Sequence, residues 1–168
     1  MVFELDRGTR VVIRPIVPGD KERLAAGLRR LSEATIRKRF LAAKPRFTTA
    51  ELRYLTEVDG IDHIALVAVL EDDPGRLVAV ARCVRLPDRP ATAEMAIVVG
   101  DPWQGQGLGR ELAHRLADAA LAVGIRRFAA TMLADNEPVL RLMRTFARRL
   151  EEGVVSGGLR EVTVHLAG

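Results

Sequence analysis

The chain has 168 residues, 48% hydrophobic and 29% charged, a balance that fits one folded domain spanning 1–168 and excludes a disordered chain. A single cysteine, Cys83, excludes an internal disulfide framework or a cysteine-rich zinc site, and His63, His114 and His165 are too scattered in sequence to suggest a metal. The net charge of +4 would attract anionic cofactors or acidic surfaces, but the arginines form no stripe interleaved with aromatics, so nucleic-acid binding is not expected.

In chain order, Arg10–Arg14 has the pattern of a strand, ended by Pro15 and Pro18. Asp20 then caps a helix with Leu24, Leu28 and Leu31 on one face. Ser32 starts a short helix through Phe40, and the Thr48/Glu51 spacing is that of a capping box opening a third helix to about Glu57. The period then changes. "HIALVAVL", "RLVAVARCVRL" and "TAEMAIVV" are three strands joined by the turn "DDPG" and the loop "LPDRP", an antiparallel meander. The longest apolar run, Ile64 to Leu70, is strand-sized and far short of the ~20 residues that a membrane span needs. A long helix from Leu108 to Val123, a strand "RRFAATML", a helix from Glu137 to Ala147 and a closing β-hairpin complete the chain. The order β-α-α-α-β-β-β-α-β-α-β-β describes a mixed α/β (α+β) domain, with helices flanking a mixed, mostly antiparallel central sheet. The amino terminus lacks a signal-peptide layout, so the expected setting is the cytoplasm.

Between the third meander strand and the long helix stands "DPWQGQGLGR", with glycines at 105, 107 and 109. A P-loop would need Gly-Lys-Ser/Thr at its end, and a dinucleotide fingerprint would need glycine where Arg110 stands. What remains is a strand, a glycine turn and a helix amino terminus with free backbone N–H groups, a place that suits a phosphate. Small residues there let a pyrophosphate reach those amides without meeting a Cβ.

Gln104-x-x-Gly107-x-Gly109 resembles the Q/R-x-x-G-x-G/A signature of the GNAT acetyltransferases, and the element order is similar over nearly the whole chain. The resemblance implies that Gln104, Gly105, Gln106, Gly107, Leu108, Gly109 and Arg110 cradle the pyrophosphate of acetyl-CoA. It implies also that the backbone of Ile97, Val98 and Val99 holds the pantetheine arm and thioester carbonyl, and that Asn136 contacts that arm. From the residues alone, Asn136 is equally an N-cap. "RVVIRPIVPGD", "IDHIALVAV" and "RPATAEMAIVVGDPWQGQGLG" further resemble the catalytic domain of bacterial Pat-type protein lysine acetyltransferases. The cyclic-nucleotide-binding or synthetase-like modules often fused to that domain do not fit within 168 residues, so either regulation of that kind needs a separate chain or the sequence is an excised domain.

Amine acetylation needs a group to take a proton, because a free lysine, with its pKa near ~10.4, is mostly charged at neutral pH. Strand alternation puts Thr92, Glu94, Ala96 and Val98 on one face and Ala93, Met95, Ile97 and Val99 on the other. Glu94 among apolar neighbours suits a general base, and the resemblance places the catalytic glutamate of the Pat-type enzymes on it. A salt bridge to an arginine is the alternative. Aligned on Asn136, the tyrosine acid common in relatives is replaced by Met143, and their Gly-Phe pair by Ala147-Arg148. Cys83 is either an acyl carrier or a small core residue, while Tyr54 and Phe47 either line the acceptor side or belong to the core.

The expected activity is acetyl-CoA-dependent N-acetylation by direct attack, without metal. The acceptor is a protein lysine, for example on acyl-CoA synthetases, or a small amine. A catalytically weak acyl-CoA-binding module is the non-enzymatic alternative, and a homodimer is left open.

Overall fold

The computed structural model describes residues 1–44 and 46–168. Eight strands form one sheet in the order β1-β2-β3-β4-β5-β6-β8-β7. Strand β1 is Val2–Glu4, β2 Arg10–Pro15, β3 His63–Leu70, β4 Leu77–Leu86, β5 Arg89–Val99, β6 Arg127–Leu133, β7 Ala147–Glu152 and β8 Leu159–Leu166. Five helices accompany them: α1 Lys21–Arg29, α2 Glu33–Phe40, α3 Thr49–Thr56, α4 Leu108–Ala122 and α5 Glu137–Arg144. Every pairing is antiparallel except β5 with β6, which run parallel. Among the described residues no helix is long and apolar enough to cross a membrane.

Local signals account for most of the boundaries. The Ser32 hydroxyl accepts from the Thr35 N–H at 3.1 Å and opens α2, and Thr48 with Glu51 forms a reciprocal capping box at the start of α3. The strands sort their side chains by parity. On β5, Val98 packs with Leu24 of α1, Leu52 and Leu55 of α3, and Val67 and Val80 of the sheet. Ile97 and Val99 pack on the opposite face with Leu108, Leu112 and Leu116 of α4 and Leu140 and Met143 of α5. The sheet therefore lies between α1–α3 and α4–α5.

Three boundaries differ from the sequence expectation. Residues 2–4 add a short edge strand against β2, so the glycine turn follows the fifth strand. The helix beginning at Glu137 stops at Arg144 instead of Ala147. Thr145 folds its hydroxyl onto the Leu142 carbonyl at 2.6 Å, Phe146 is buried, and Ala147 already pairs with Leu166. The "LPDRP" loop shrinks to a two-residue turn, because β5 starts at Arg89 opposite Leu86.

Asp20 also plays a different part. It precedes α1 but makes no side-chain cap bond to that helix. Its fully buried carboxylate receives both terminal nitrogens of Arg14, at 2.8 and 2.7 Å, and the Val17 N–H at 2.9 Å. The residue pins the strand to the helix. Burial alone would raise this carboxyl, but Arg14, the Val17 amide and Arg23 together hold it below its ordinary range.

Candidate active site

The site begins where the sheet comes apart. Parallel pairing between β5 and β6 lasts for only three residue pairs, Thr92 with Arg127, Ala93 with Phe128 and Glu94 with Ala129. Beyond Glu94, β5 stays with β4 while β6 follows β8. The parity of the main chain is set at both ends: the Gly100 N–H donates to Val78 on the β4 side, and the Ala91 carbonyl accepts from Arg126 on the β6 side. The amides and carbonyls of Ile97 and Val99 therefore face the gap, and those of Val98 face β4.

The gap opens into a cleft of about 470 Å³. Its walls include residues 95–99 of β5, residues 130–132 of β6, Asn136 and Met143 around α5, and Thr35, Lys38 and Arg39 of α2. The glycine turn forms one end. Gly105 and Gly107 hold φ of 71° and 87°, the left-handed region that side chains rarely adopt, and α4 starts at once on Leu108. The first intrahelical bond runs from the Glu111 N–H to the Gly107 carbonyl, so the N–H groups of Leu108, Gly109 and Arg110 have no partner within the helix. Gln104, Gly105, Gly107, Gly109 and Arg110 line the cleft.

Gln106 and Leu108 turn inward instead. The buried Gln106 side chain donates to the Pro102 carbonyl at 3.0 Å, and Leu108 is in the core. Only their main chains can serve a ligand.

A polar latch holds the turn to α2, and nothing in the local sequence announced it. Asp101 accepts from the Ser32 N–H at 2.9 Å, the Ser32 hydroxyl at 2.7 Å and the Thr35 hydroxyl at 2.7 Å. Burial alone would raise the Asp101 carboxyl, but these donors lower it. Gln104 extends the latch, donating through Nε2 to Thr35 Oγ1 at 3.1 Å and to the Val99 carbonyl at 2.9 Å.

Glu94 occupies the last paired rung of β5, immediately before Met95, the first of its residues to line the cleft. It is exposed and, among the described residues, forms no ion pair, so the salt-bridge alternative finds no partner. The apolar surroundings expected from its sequence neighbours are absent as well, because Ala93 and Met95 point through the other face.

The same face carries Arg82, opposite Ala96, and His63, opposite Val84. Arg82 is buried, and one terminal nitrogen contacts both the Leu55 carbonyl, at 2.9 Å, and His63 Nε2, at 3.0 Å. Burial and then the Arg82 charge bring His63 down to about 4, so its ring is neutral at ordinary pH. Burial brings Arg82 itself down to about 10. Tyr54, 57% exposed, stands over the His63 ring at 5.0 Å, a surface position and not a core one.

The remaining candidates separate clearly. Asn136 stands at the N-cap position but makes no side-chain cap bond, and it lines the cleft. Met143 is buried and puts an apolar thioether in the wall of the cleft, at the position where the resemblance implies a tyrosine. Cys83 is buried in the core with its thiol pushed up to about 12 by burial, which removes the acyl-carrier alternative. Phe47 packs partly buried on the α1–α3 side.

A model of the acetyltransferase (GNAT) family matches residues 32–147, a span that runs from the cap of α2 to the start of β7. The chain is 40% identical over 131 residues to acetyltransferase Pat of Mycolicibacterium smegmatis, covering 78% of this chain but only 39% of that protein. It is 34% identical over 136 residues to acetyltransferase PA5475 of Pseudomonas aeruginosa, covering 80% of this chain and 73% of that one. The crystal structure of the GNAT domain of S. lividans PAT superposes with a TM-score of 0.86 at 28% identity, covering 99% of this chain and 96% of that domain. The chain thus spans under half the length of one curated relative and nearly all of an isolated GNAT domain. With its parted strands, glycine turn and long helix, the chain belongs to the GNAT acetyltransferase family.

Proposed function

We propose that this protein transfers the acetyl group of acetyl-CoA to the side-chain amine of a protein lysine, in the cytoplasm, with Glu94 as general base. The observation that carries the reading is the placement of a solvent-reached carboxylate on the last rung before the sheet parts. Similarity to Pat-type proteins favours a protein acceptor.

The residues fit the co-substrate. The turn has no Cβ at 105, 107 or 109, and three unpartnered helix amides follow it, so a pyrophosphate can approach closely. Bound there, acetyl-CoA supplies a thioester activated toward amines. The main-chain groups of Ile97 and Val99 hold its arm in the gap, and an N–H aimed at the thioester carbonyl stabilises charge as it develops on the oxygen. Asn136 offers the arm a side-chain amide.

The acceptor approaches from the α1–α3 side. Glu94 takes the ammonium proton, directly or through one water. Lys38, Arg39 and the buried Arg82 lie on this side and disfavour a further cation, which eases that loss. The neutral nitrogen then forms a bond to the carbonyl carbon as the carbon–sulfur bond breaks, and the nitrogen's second proton passes to the departing thiolate or to water. A thiol with a pKa near ~8.5 leaves as thiolate without strong acid help, so Met143 in place of a phenol does not prevent turnover.

The test is to incubate the protein with isotopically labelled acetyl-CoA and a cell lysate, and to map acetyl-lysine by mass spectrometry against a Glu94→Gln control. Labelled lysines that depend on Glu94 are expected. Label confined to small amines moves the acceptor to that class, and no transfer to any amine overturns the reading.

A further inference from the structure

A second cavity of about 320 Å³ lies under α1 and behind the turn that follows β5. It adjoins the cleft, with Val98 and Trp103 bordering both. Its interior is apolar, with Leu24 and Leu28 of α1 facing Val80 and Val98 of the sheet. That size is at the lower end of chambers that hold small ligands.

The wall also includes two cations, Arg30 and Arg76. Arg30 donates to the Leu77 carbonyl at 3.1 Å, and the Arg76 guanidinium lies 5.3 Å from the Trp103 ring centre. The Arg76 Nε is buried with no hydrogen-bond partner. Among the described residues neither arginine has a carboxylate within salt-bridge distance. Burial, then the Arg76 and Arg29 charges, lower Arg30, which is itself exposed to solvent, and Asp73 offsets that only in part. Asp101, the acid in the wall, is already engaged by Ser32 and Thr35.

An unpaired guanidinium at Arg76 and a second, solvent-exposed cation at Arg30, both on the wall of a dry chamber, favour one kind of occupant. Its head must be a planar anion able to take a guanidinium fork, and its body must be apolar and slender. We propose that this cavity binds a fatty carboxylate of short to medium chain, the tail among Leu24, Leu28 and Val80 and the carboxylate on Arg76 and Arg30. This site does not depend on the acetyl-transfer reading.

Isothermal titration of the full chain with octanoate, butanoate, octanol and octylamine tests it. Octanoate is expected to bind saturably at one site, with affinity rising about fourfold per methylene from butanoate. Octanol should bind at least tenfold more weakly, and octylamine not at all. Arg76→Gln removes the fork, and Gly27→Leu fills the chamber; both are expected to weaken octanoate at least tenfold. Gly27 lies in the last turn of α1, where a new Cβ meets only Leu77 atoms at 3.7 Å, so the backbone accepts a side chain there, and helix content by circular dichroism checks that the variant stays folded. The absence of saturable octanoate binding, octanol binding as tight as octanoate, or affinity unchanged in both variants overturns the proposal.

Discussion

Thr35 on α2 donates its hydroxyl to Asp101 at 2.7 Å, joining a helix on one wall of the cleft to the turn that starts the glycine loop 66 residues later. Ser32 adds two more bonds to the same carboxylate, so Asp101→Ala strips three charge-assisted bonds from a partly buried site. A loss of about 2 kcal/mol is expected by chemical denaturation. A rise in KM for acetyl-CoA should accompany it, because Gln104 loses its anchored neighbour.

Glu94→Gln keeps the shape of the rung and removes the base. Affinity for acetyl-CoA by titration should be unchanged, while kcat falls by about 10²–10⁴-fold. Turnover near the native rate would remove Glu94 from the chemistry.

Gly107→Ala places a side chain at φ 87° and puts its Cβ 3.6 Å from an Asp6 carboxylate oxygen. The left-handed conformation alone costs about 1–2 kcal/mol. Both thermal stability and acetyl-CoA affinity should drop, and the drop in affinity should exceed that of a change on the exposed face of α4, such as Asp118→Ala.

Asp20 links stability to acid. Its carboxyl titrates lower when folded than when unfolded, so its contribution is fully present above the unfolded value and is lost as pH falls through the folded one. Asp20→Asn leaves Arg14 without its buried partner, at a cost of about 3–5 kcal/mol near neutrality. Urea midpoints of the two proteins should converge as pH falls below the ordinary aspartate value and on through the lower folded one.

Cys83, with its thiol raised to about 12, should ignore thiol reagents at pH 8 until denaturant exposes it. Cys83→Ala should retain full turnover, measured by release of free CoA.

What could be read in advance was what depends on near neighbours. Ser32 and Thr48 cap their helices with partners three residues away, and the two faces of β5 follow from simple alternation. Asp20 defeated the same logic because its stronger partner, Arg14, belongs to the preceding strand. The Asp101 latch and the pairing of Arg82 with His63 join segments far apart in the chain, and no local pattern marks them. Glu94 was found by position, but its exposure was not, since neighbours in sequence lie on the opposite face of a strand. The arginine-rimmed cavity is invisible in sequence for the same reason: Arg30 and Arg76 come to line one chamber only once α1 lies across β4.

The three-rung pairing of β5 and β6 has a consequence for the molecule as a whole. Strands β1–β5 and β6–β8 are in effect two sheets stitched at one end, held elsewhere by side chains beneath α4 and α5. Beyond the last stitch, the edge groups of Ile97 and Val99 lack a protein strand to pair with. Under the proposed function, the pantetheine arm lies in that opening and acts as a borrowed strand. The co-substrate would then serve as scaffold as well as reagent, slowing amide exchange along both lips of the seam and raising the melting temperature in step with its concentration.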